Sequence, residues 1–243
     1  MFDSYNKKIV ALTGAGISKA SGIPTFRGKD GLWNKYRAED LANPEAFRRN
    51  PKVVWNWYKA RMRILLSAQP NAAHLALAKL EKEHLLVGLI TQNVDGLHKI
   101  AGNKNVIEVH GNIRYARCDN CDYKQRWDTK ELADENSELL RCPTCHSLLR
   151  PDVVWFGEPL DSDKWQKAVE LTKQCDMLLV IGTSAVVYPV ASLPLLAKQN
   201  GAKVIEFNIT STPITRTCDR SYFGPAEETL PKFVNSLLEE MNR

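Results

Sequence analysis

The sequence predicts an α/β fold, a parallel-sheet domain with a small metal-binding insertion. Short, continuous apolar runs at 9–12, 85–90, 177–181 and 204–207 have the length and the Leu, Ile and Val content of strands buried on both faces of a parallel sheet. Longer segments with helical periodicity lie between several of them. Two Cys-x-x-Cys pairs, at 118–121 and 142–145, interrupt the alternation.

The 243 residues suffice for one sizeable core, or for one core and a small satellite domain. A hydrophobic content of 44% and a charged content of 25% are those of a water-soluble globular chain. No run approaches the ~18 apolar residues of a membrane span. The first residues lead straight into a strand, so neither a membrane role nor a leader peptide is expected. The net charge of +5 is spread over scattered Lys and Arg with no long basic tract, so no direct nucleic-acid role is expected. Six cysteines, four of them in the two pairs, suit a reducing compartment, and a cytoplasmic location is expected.

The first strand, 9–12, runs into Gly14-Ala15-Gly16-Ile17-Ser18, and a second glycine turn comes at 22–28. A strand ending in a glycine turn can cradle phosphate, because main-chain N–H groups approach the anion and the next helix presents its positive end. The dinucleotide fingerprint G-x-G-x-x-G is incomplete, since Lys19 stands where its last glycine belongs, and a plain strand-to-helix turn competes with the cradle. Residues 31–50 read as irregular. Asn50-Pro51 then offers an N-cap and a proline at the first helical position, predicting a helix to Ser67. On it Lys52, Asn56, Lys59 and Arg63 form a polar stripe, with Val53, Val54, Trp57, Tyr58, Ile64 and Leu65 opposite. Arg61 falls inside the apolar face, three residues after Tyr58. A cation there needs a partner, either an internal carboxylate or a ligand.

Residues 71–83 predict a second helix, on which His74 is structural. The strand at 85–90 delivers Thr91-Gln92-Asn93-Val94-Asp95-Gly96-Leu97-His98 to the sheet's carboxyl edge, where open α/β sheets bind ligands. Gln92, Asn93, Asp95 and His98 are more polar groups than a turn requires, although Asn and Asp also suit turns. A strand at 106–109 ends in His110-Gly111, bringing another histidine to a carboxyl end. Cys118, Cys121, Cys142 and Cys145, with 20 hydrophilic residues between the pairs, are spaced to hold one zinc ion. Four thiolates leave no open coordination position, so this zinc is structural. A redox reading is disfavoured because neither pair opens a helix after a strand.

The α/β alternation then resumes. A strand at 153–156 leads to Gly157-Glu158, and a helix spans 164–173. The strand at 177–181 ends in Gly182-Thr183-Ser184, and that at 204–207 ends in Asn208-Ile209-Thr210. A short last strand at 222–224 precedes a closing amphipathic helix marked by Leu230, Phe233, Val234, Leu237, Leu238 and Met241.

With these motifs in order, from 14–18 and 22–28 through 91–98, His110-Gly111, the paired cysteines, 150–158 and 182–184 to Asn208, the chain resembles the sirtuins, NAD-dependent protein-lysine deacylases, over essentially its whole length. The resemblance implies a Rossmann-like NAD-binding domain (1–30, 68–112 and 153–243), a helical insertion lining the acyl pocket (31–67) and a zinc-ribbon domain (113–152). It implies NAD as a consumed co-substrate and acylated-lysine proteins or peptides as partners; a monomer is expected. Gly14, Ala15, Gly16, Ser18, Thr25, Phe26, Arg27, Gln92, Asn93, Val94, Asp95, Gly182, Thr183, Ser184, Asn208, Ile209 and Ala226 would contact NAD. Val153, Val154, Trp155, Phe156, Gly157 and Val187 would receive the substrate, residues 153–157 by pairing with peptide as an added strand. His110 and Asn93 would be catalytic, His110 as general base. In the family mechanism the acyl oxygen displaces nicotinamide and a ribose hydroxyl then loses a proton, which suits an imidazole with a reference pKa of about 6.5.

A subgroup of sirtuins carries Tyr and Arg at the spacing of Tyr58 and Arg61 beside the acyl pocket. For this chain that implies removal of succinyl and malonyl as well as acetyl groups, giving nicotinamide and O-acyl-ADP-ribose. The rivals are a general deacetylase without acidic-acyl preference, a mono-ADP-ribosyltransferase of the same fold, and a zinc-ribbon binding module with no use for NAD.

Overall fold

The structure, a computed structural model, describes residues 7–26, 31–34 and 37–241. Its centre is β1 (Ile9–Thr13), paired in parallel with β2 (Leu86–Thr91) on one side and β7 (Met177–Ile181) on the other. With β3 (Val106–Glu108), β8 (Lys203–Asn208) and β9 (Arg220–Phe223), the order is β3-β2-β1-β7-β8-β9, every neighbouring pair parallel. The chain builds outward from β1 in one direction, then returns to its other side. That reversal makes the carboxyl ends of β1 and β7 a topological switch point, where the crevice of an open sheet lies.

Both faces of β1 are apolar because both are covered. Ile9 and Ala11 join a core with α4 (Ala72–Lys82) and α8 (Ala226–Met241). Val10 and Leu12 join a second core with α6 (Ser162–Gln174) and α7 (Leu193–Gln199). Two-sided burial explains why these strands read as unbroken apolar runs.

A third core lies beside the sheet's carboxyl edge. It joins α1 (Ala38–Leu41), α2 (Pro44–Arg49) and α3 (Pro51–Ser67) to an antiparallel sheet of β4 (Gly111–Arg117), β5 (Lys124–Arg126) and β6 (Arg150–Val153), in the order β5-β4-β6. Trp55 of α3 meets Trp127 edge to face at 5.0 Å, and its indole N–H donates to the Leu149 carbonyl at 2.9 Å. α5 (Leu97–Ile100) is a single turn after β2. No helix among the described residues is long and apolar enough to cross a membrane.

Three expectations change. Residues 31–50, read as irregular, contain α1 and α2. Asn43-Pro44 starts α2 with the same signal that starts α3, each asparagine accepting a hydrogen bond from an N–H of the first turn. The polar stripe of α3 is not wholly a solvent face. Lys59 is 2% exposed and donates from Nζ to the Ser137 carbonyl, while Arg63 donates to the Ala133 carbonyl, because the chain between the cysteine pairs covers this side. The strand expected at 153–156 ends at Val153. The Glu158 carboxylate accepts the Trp155 N–H and the Glu158 N–H returns to the Trp155 carbonyl, curling the chain through Gly157 at φ +86°.

Candidate active site

A cavity of about 910 Å³ opens at the switch point, between the sheet's carboxyl edge and the third core. The predicted cofactor residues Gly14, Ala15, Gly16, Thr25, Phe26, Gln92, Asn93, Val94, Gly182, Thr183, Ser184, Asn208, Ile209 and Ala226 line it, with His110. The predicted substrate residues Tyr58, Arg61, Val153, Val154, Trp155, Phe156, Gly157 and Val187 line it as well. Ser18 and Asp95 lie at a small adjoining cavity of about 40 Å³, which Arg61 and Asn93 also line. Arg27 lies outside the described residues.

Three of the main-chain amides of the glycine turn are engaged within the fold. The Gly14 N–H donates to the Ile181 carbonyl, the Gly16 N–H to that of Gly182, and the Ile17 N–H to that of Gly14. The first two of these bonds tie the loop after β1 to the end of β7, and the third closes the turn itself. A Cβ at Gly14 or Gly16 would come within 2.7 Å of Thr183 or Gly182, so glycine is needed there for loop-to-loop contact. After β1 and Gly14 the chain enters a 3-10 segment, Ala15–Ser21. Among 14–17 and the described residues, the Ala15 N–H has no main-chain acceptor, and Ala15 faces the cavity.

Below the floor runs a buried polar chain. The Asn71 N–H donates to His74 Nδ1 at 3.3 Å, which leaves the His74 proton on Nε2, 3.4 Å from Ser18 Oγ. Ser18 donates to Asp95 Oδ2 at 2.8 Å and accepts from the Asn93 side-chain amide at 3.2 Å. The same amide donates to the Gly14 carbonyl, so Asn93 is held from two sides. Burial pushes the Asp95 carboxyl up, opposed by the Leu97 N–H and the Ser18 hydroxyl.

His110 stands at the cavity wall just before β4, with Nδ1 3.0 Å from the Gln92 carbonyl. A carbonyl can only accept, so Nδ1 carries the proton and Nε2 keeps its lone pair. Burial holds the imidazole below its ordinary 6.5, partly opposed by that hydrogen bond. At neutral pH it is an uncharged base. Gly111 adopts φ +83°, and a Cβ there would meet the Asp152 carbonyl at 2.2 Å, so the glycine lets β4 and β6 close behind the histidine.

Arg61 forms no ion pair in contact distance among the described residues. The carboxylate acting on it is the buried Asp95, across the small adjoining cavity, and the two stabilise each other's charge only through space. Its guanidinium lies 4.7 Å from the ring centroids of Phe26 and Trp57, and 5.9 Å from that of Tyr58. Tyr58 is buried, and burial pushes its phenol up to about 12, so the proton stays on.

The four cysteine sulfurs lie within 4.8 Å of one another, with separations of 3.4 Å (Cys118 to Cys145), 3.5 Å (Cys121 to Cys142) and 3.8 Å (Cys121 to Cys145). A tetrahedral zinc with bonds of about 2.3 Å sets its thiolates roughly 3.8 Å apart, so this donor set fits one structural zinc ion.

The sequence profile of the Sir2 family matches residues 14–189. The chain belongs to the Sir2 family. It is 54% identical over 230 residues to an NAD-dependent protein deacylase of Pyrococcus furiosus, covering 94% of this chain and 92% of that one. An NAD-dependent protein deacylase of Aquifex aeolicus is 52% identical, with 97% of each chain covered. Among solved structures, a Sir2 homologue–NAD complex superposes with a TM-score of 0.91 at 49% identity, covering 98% of this chain and 92% of that chain. A Sir2–p53 peptide–NAD+ complex gives 0.83 at 37% identity, covering 97% and 93%.

The Sir2 cavity also holds residues that the sequence did not single out. Trp57 sits on the same face of α3 as Tyr58 and reads there as core. Trp165 and Tyr188 also line it, from segments without a motif, as does Lys19 between the two glycine turns. Arg150 and Glu158 open and close the 150–158 motif, and nothing in the sequence signals that they pair, at 2.5 and 2.9 Å, across the curl at Gly157.

Proposed function

We propose that this Sir2-family enzyme, an NAD-dependent protein deacylase, removes succinyl and malonyl as well as acetyl groups from lysine side chains. The observation carrying the acidic-acyl preference is Arg61, a guanidinium at the cavity wall among three aromatic rings and with no carboxylate in ion-pair contact among the described residues. Such a cation is poised for a ligand's carboxylate, which its planar fork can hold in two hydrogen bonds. Tyr58, three residues earlier, adds a hydroxyl donor on the same wall. The cavity's volume and its amide- and hydroxyl-bearing floor fit NAD. Ala15, Thr25, Phe26, Gln92, Asn93 and Asp95 would hold its nicotinamide half, and Thr183, Ser184, Asn208 and Ala226 its adenosine half. When bound, NAD supplies the ribosyl centre that activates the acyl group.

The chain's own residues supply the rest. Asn93, held by Ser18 and the Gly14 carbonyl, presents a fixed amide at the floor. His110 Nε2, unprotonated at neutral pH, takes a proton from a hydroxyl brought against it. Residues 153–157, in the cavity wall, would receive the peptide on either side of the acyl-lysine. The same reading divides the chain into an NAD-binding lobe and a smaller one built from 31–67 and 113–152.

The test compares kcat/KM for succinyl-lysine and acetyl-lysine peptides in the wild type, Tyr58→Phe and Arg61→Met. A charge-assisted hydrogen bond contributes about 1.5–3 kcal/mol, so desuccinylation should fall at least roughly tenfold in each variant. Deacetylation, with no carboxylate to bind, should fall far less. Parallel loss of both activities would make Arg61 a structural cation and remove the acidic-acyl preference.

A further inference from the structure

Tyr58 is set in place by a residue 97 positions away. The Trp155 indole N–H donates to the Tyr58 hydroxyl oxygen at 2.8 Å, and each residue is 3% exposed. An indole nitrogen donates and never accepts. At this contact the phenol oxygen is therefore the acceptor, and its proton must point elsewhere. Among the described residues nothing accepts that proton, and Tyr58 lines the cavity beside Arg61.

We infer that Trp155 is a positioning residue for acyl selectivity, occupying the acceptor side of the Tyr58 hydroxyl so that this group can only donate into the cavity. The inference rests on the acidic-acyl reading of that cavity. A succinyl carboxylate accepts the proton, whereas the methyl of an acetyl group offers nothing to receive it. A hydroxyl free to rotate would serve a donor or an acceptor alike, and a wall that can only donate favours the anion.

The indole can do this because it cannot turn. The Arg150 guanidinium lies 3.4 Å from the Trp155 ring centroid, and the Phe47 ring packs against the indole at 5.3 Å. Arg150 is anchored by two hydrogen bonds to Glu158, whose Oε2 also accepts the Trp155 main-chain N–H. Glu158 thus holds both the backbone of Trp155 and the cation stacked on its ring.

The experiment measures kcat, KM and calorimetric peptide affinity for succinyl-lysine and acetyl-lysine peptides in Trp155→Phe, Tyr58→Phe and the double variant. A parallel protein carries benzothienylalanine at 155, which keeps the ring's shape and stacking and removes only the N–H. Loss of one net hydrogen bond predicts a fall of about three- to tenfold in the succinyl-to-acetyl ratio of kcat/KM, lying mainly in KM and in peptide affinity. The benzothienyl protein should reproduce this fall, and adding Trp155→Phe to Tyr58→Phe should not lower the ratio further. An unchanged ratio in the benzothienyl protein, or effects that add in full in the double variant, would overturn the inference while a lowered ratio in Tyr58→Phe keeps the acidic-acyl reading. An unchanged ratio in Tyr58→Phe would remove that reading and the inference with it.

Discussion

One hydrogen bond at His110 decides which imidazole nitrogen is free to act as the proposed base. Because the Gln92 carbonyl accepts from Nδ1, the Nε2 lone pair is left for the substrate side. His110→Ala should abolish peptide deacylation while leaving NAD-induced thermal stabilisation in place. An active variant would remove the base assignment. Burial lowers the His110 pKa, so the acid limb of kcat against pH should have its midpoint below the 6.5 of free imidazole. A midpoint above 6.5 would mean that a carboxylate, absent from the Nδ1 contact, stabilises the charged ring. His110 was legible in the sequence because a strand end followed by glycine is a local pattern. The environment of Arg61 was not, because its aromatic partner Phe26 is 35 positions away and on another segment. The Trp155 contact to Tyr58 was hidden for the same reason, since periodicity assigns faces to elements and does not say which faces meet.

Among the elements, α3 has two duties. One side presents Trp57, Tyr58 and Arg61 to the cavity, and another is pinned to the cysteine module by Trp55, Lys59 and Arg63. Its start was plain from Asn50-Pro51, and its end at Ser67 coincides with the sequence reading. What sequence misjudged was the polar stripe, because a lysine's long apolar stem can be buried while its ammonium reaches a carbonyl. The shared core couples the cysteine cluster to the cavity wall that α3 supplies. Chelation of the metal should unfold the β4–β6 module, collapse the near-UV signal of Trp127 and cut deacylation together. A chelated, metal-free protein with full activity and an unchanged spectrum would show the module to be independent of zinc. Asn50→Ala, which removes the cap that accepts from the Val53 N–H, should cost about 1 kcal/mol in urea unfolding. No measurable loss would show that the cap contributes nothing to α3.

At the scale of the whole molecule, two cores clasp a parallel sheet and a third closes the cavity over its carboxyl edge. The sheet was legible because two-sided burial leaves unbroken apolar runs. The docking of the third core was not, since its two chain segments are separated by more than forty residues. The design has an acid weakness. Burial takes His74 from 6.5 to about 4 and His98 well below 6.5, so the native state resists protons that the unfolded chain accepts. Stability is then full above pH 6.5 and falls as pH drops from 6.5 towards 4, by about 1.4 kcal/mol per unit for His74 alone. His74→Gln should flatten the dependence of Tm on pH in this window, and an unaltered slope would assign the acid sensitivity elsewhere. For the function itself, the most direct measurement tracks a succinyl-lysine peptide incubated with the protein and NAD by mass spectrometry. One nicotinamide and one O-succinyl-ADP-ribose should appear for each lysine freed. Nicotinamide release with the peptide still succinylated and ADP-ribose attached to protein would contradict deacylation and identify an ADP-ribosyltransferase instead.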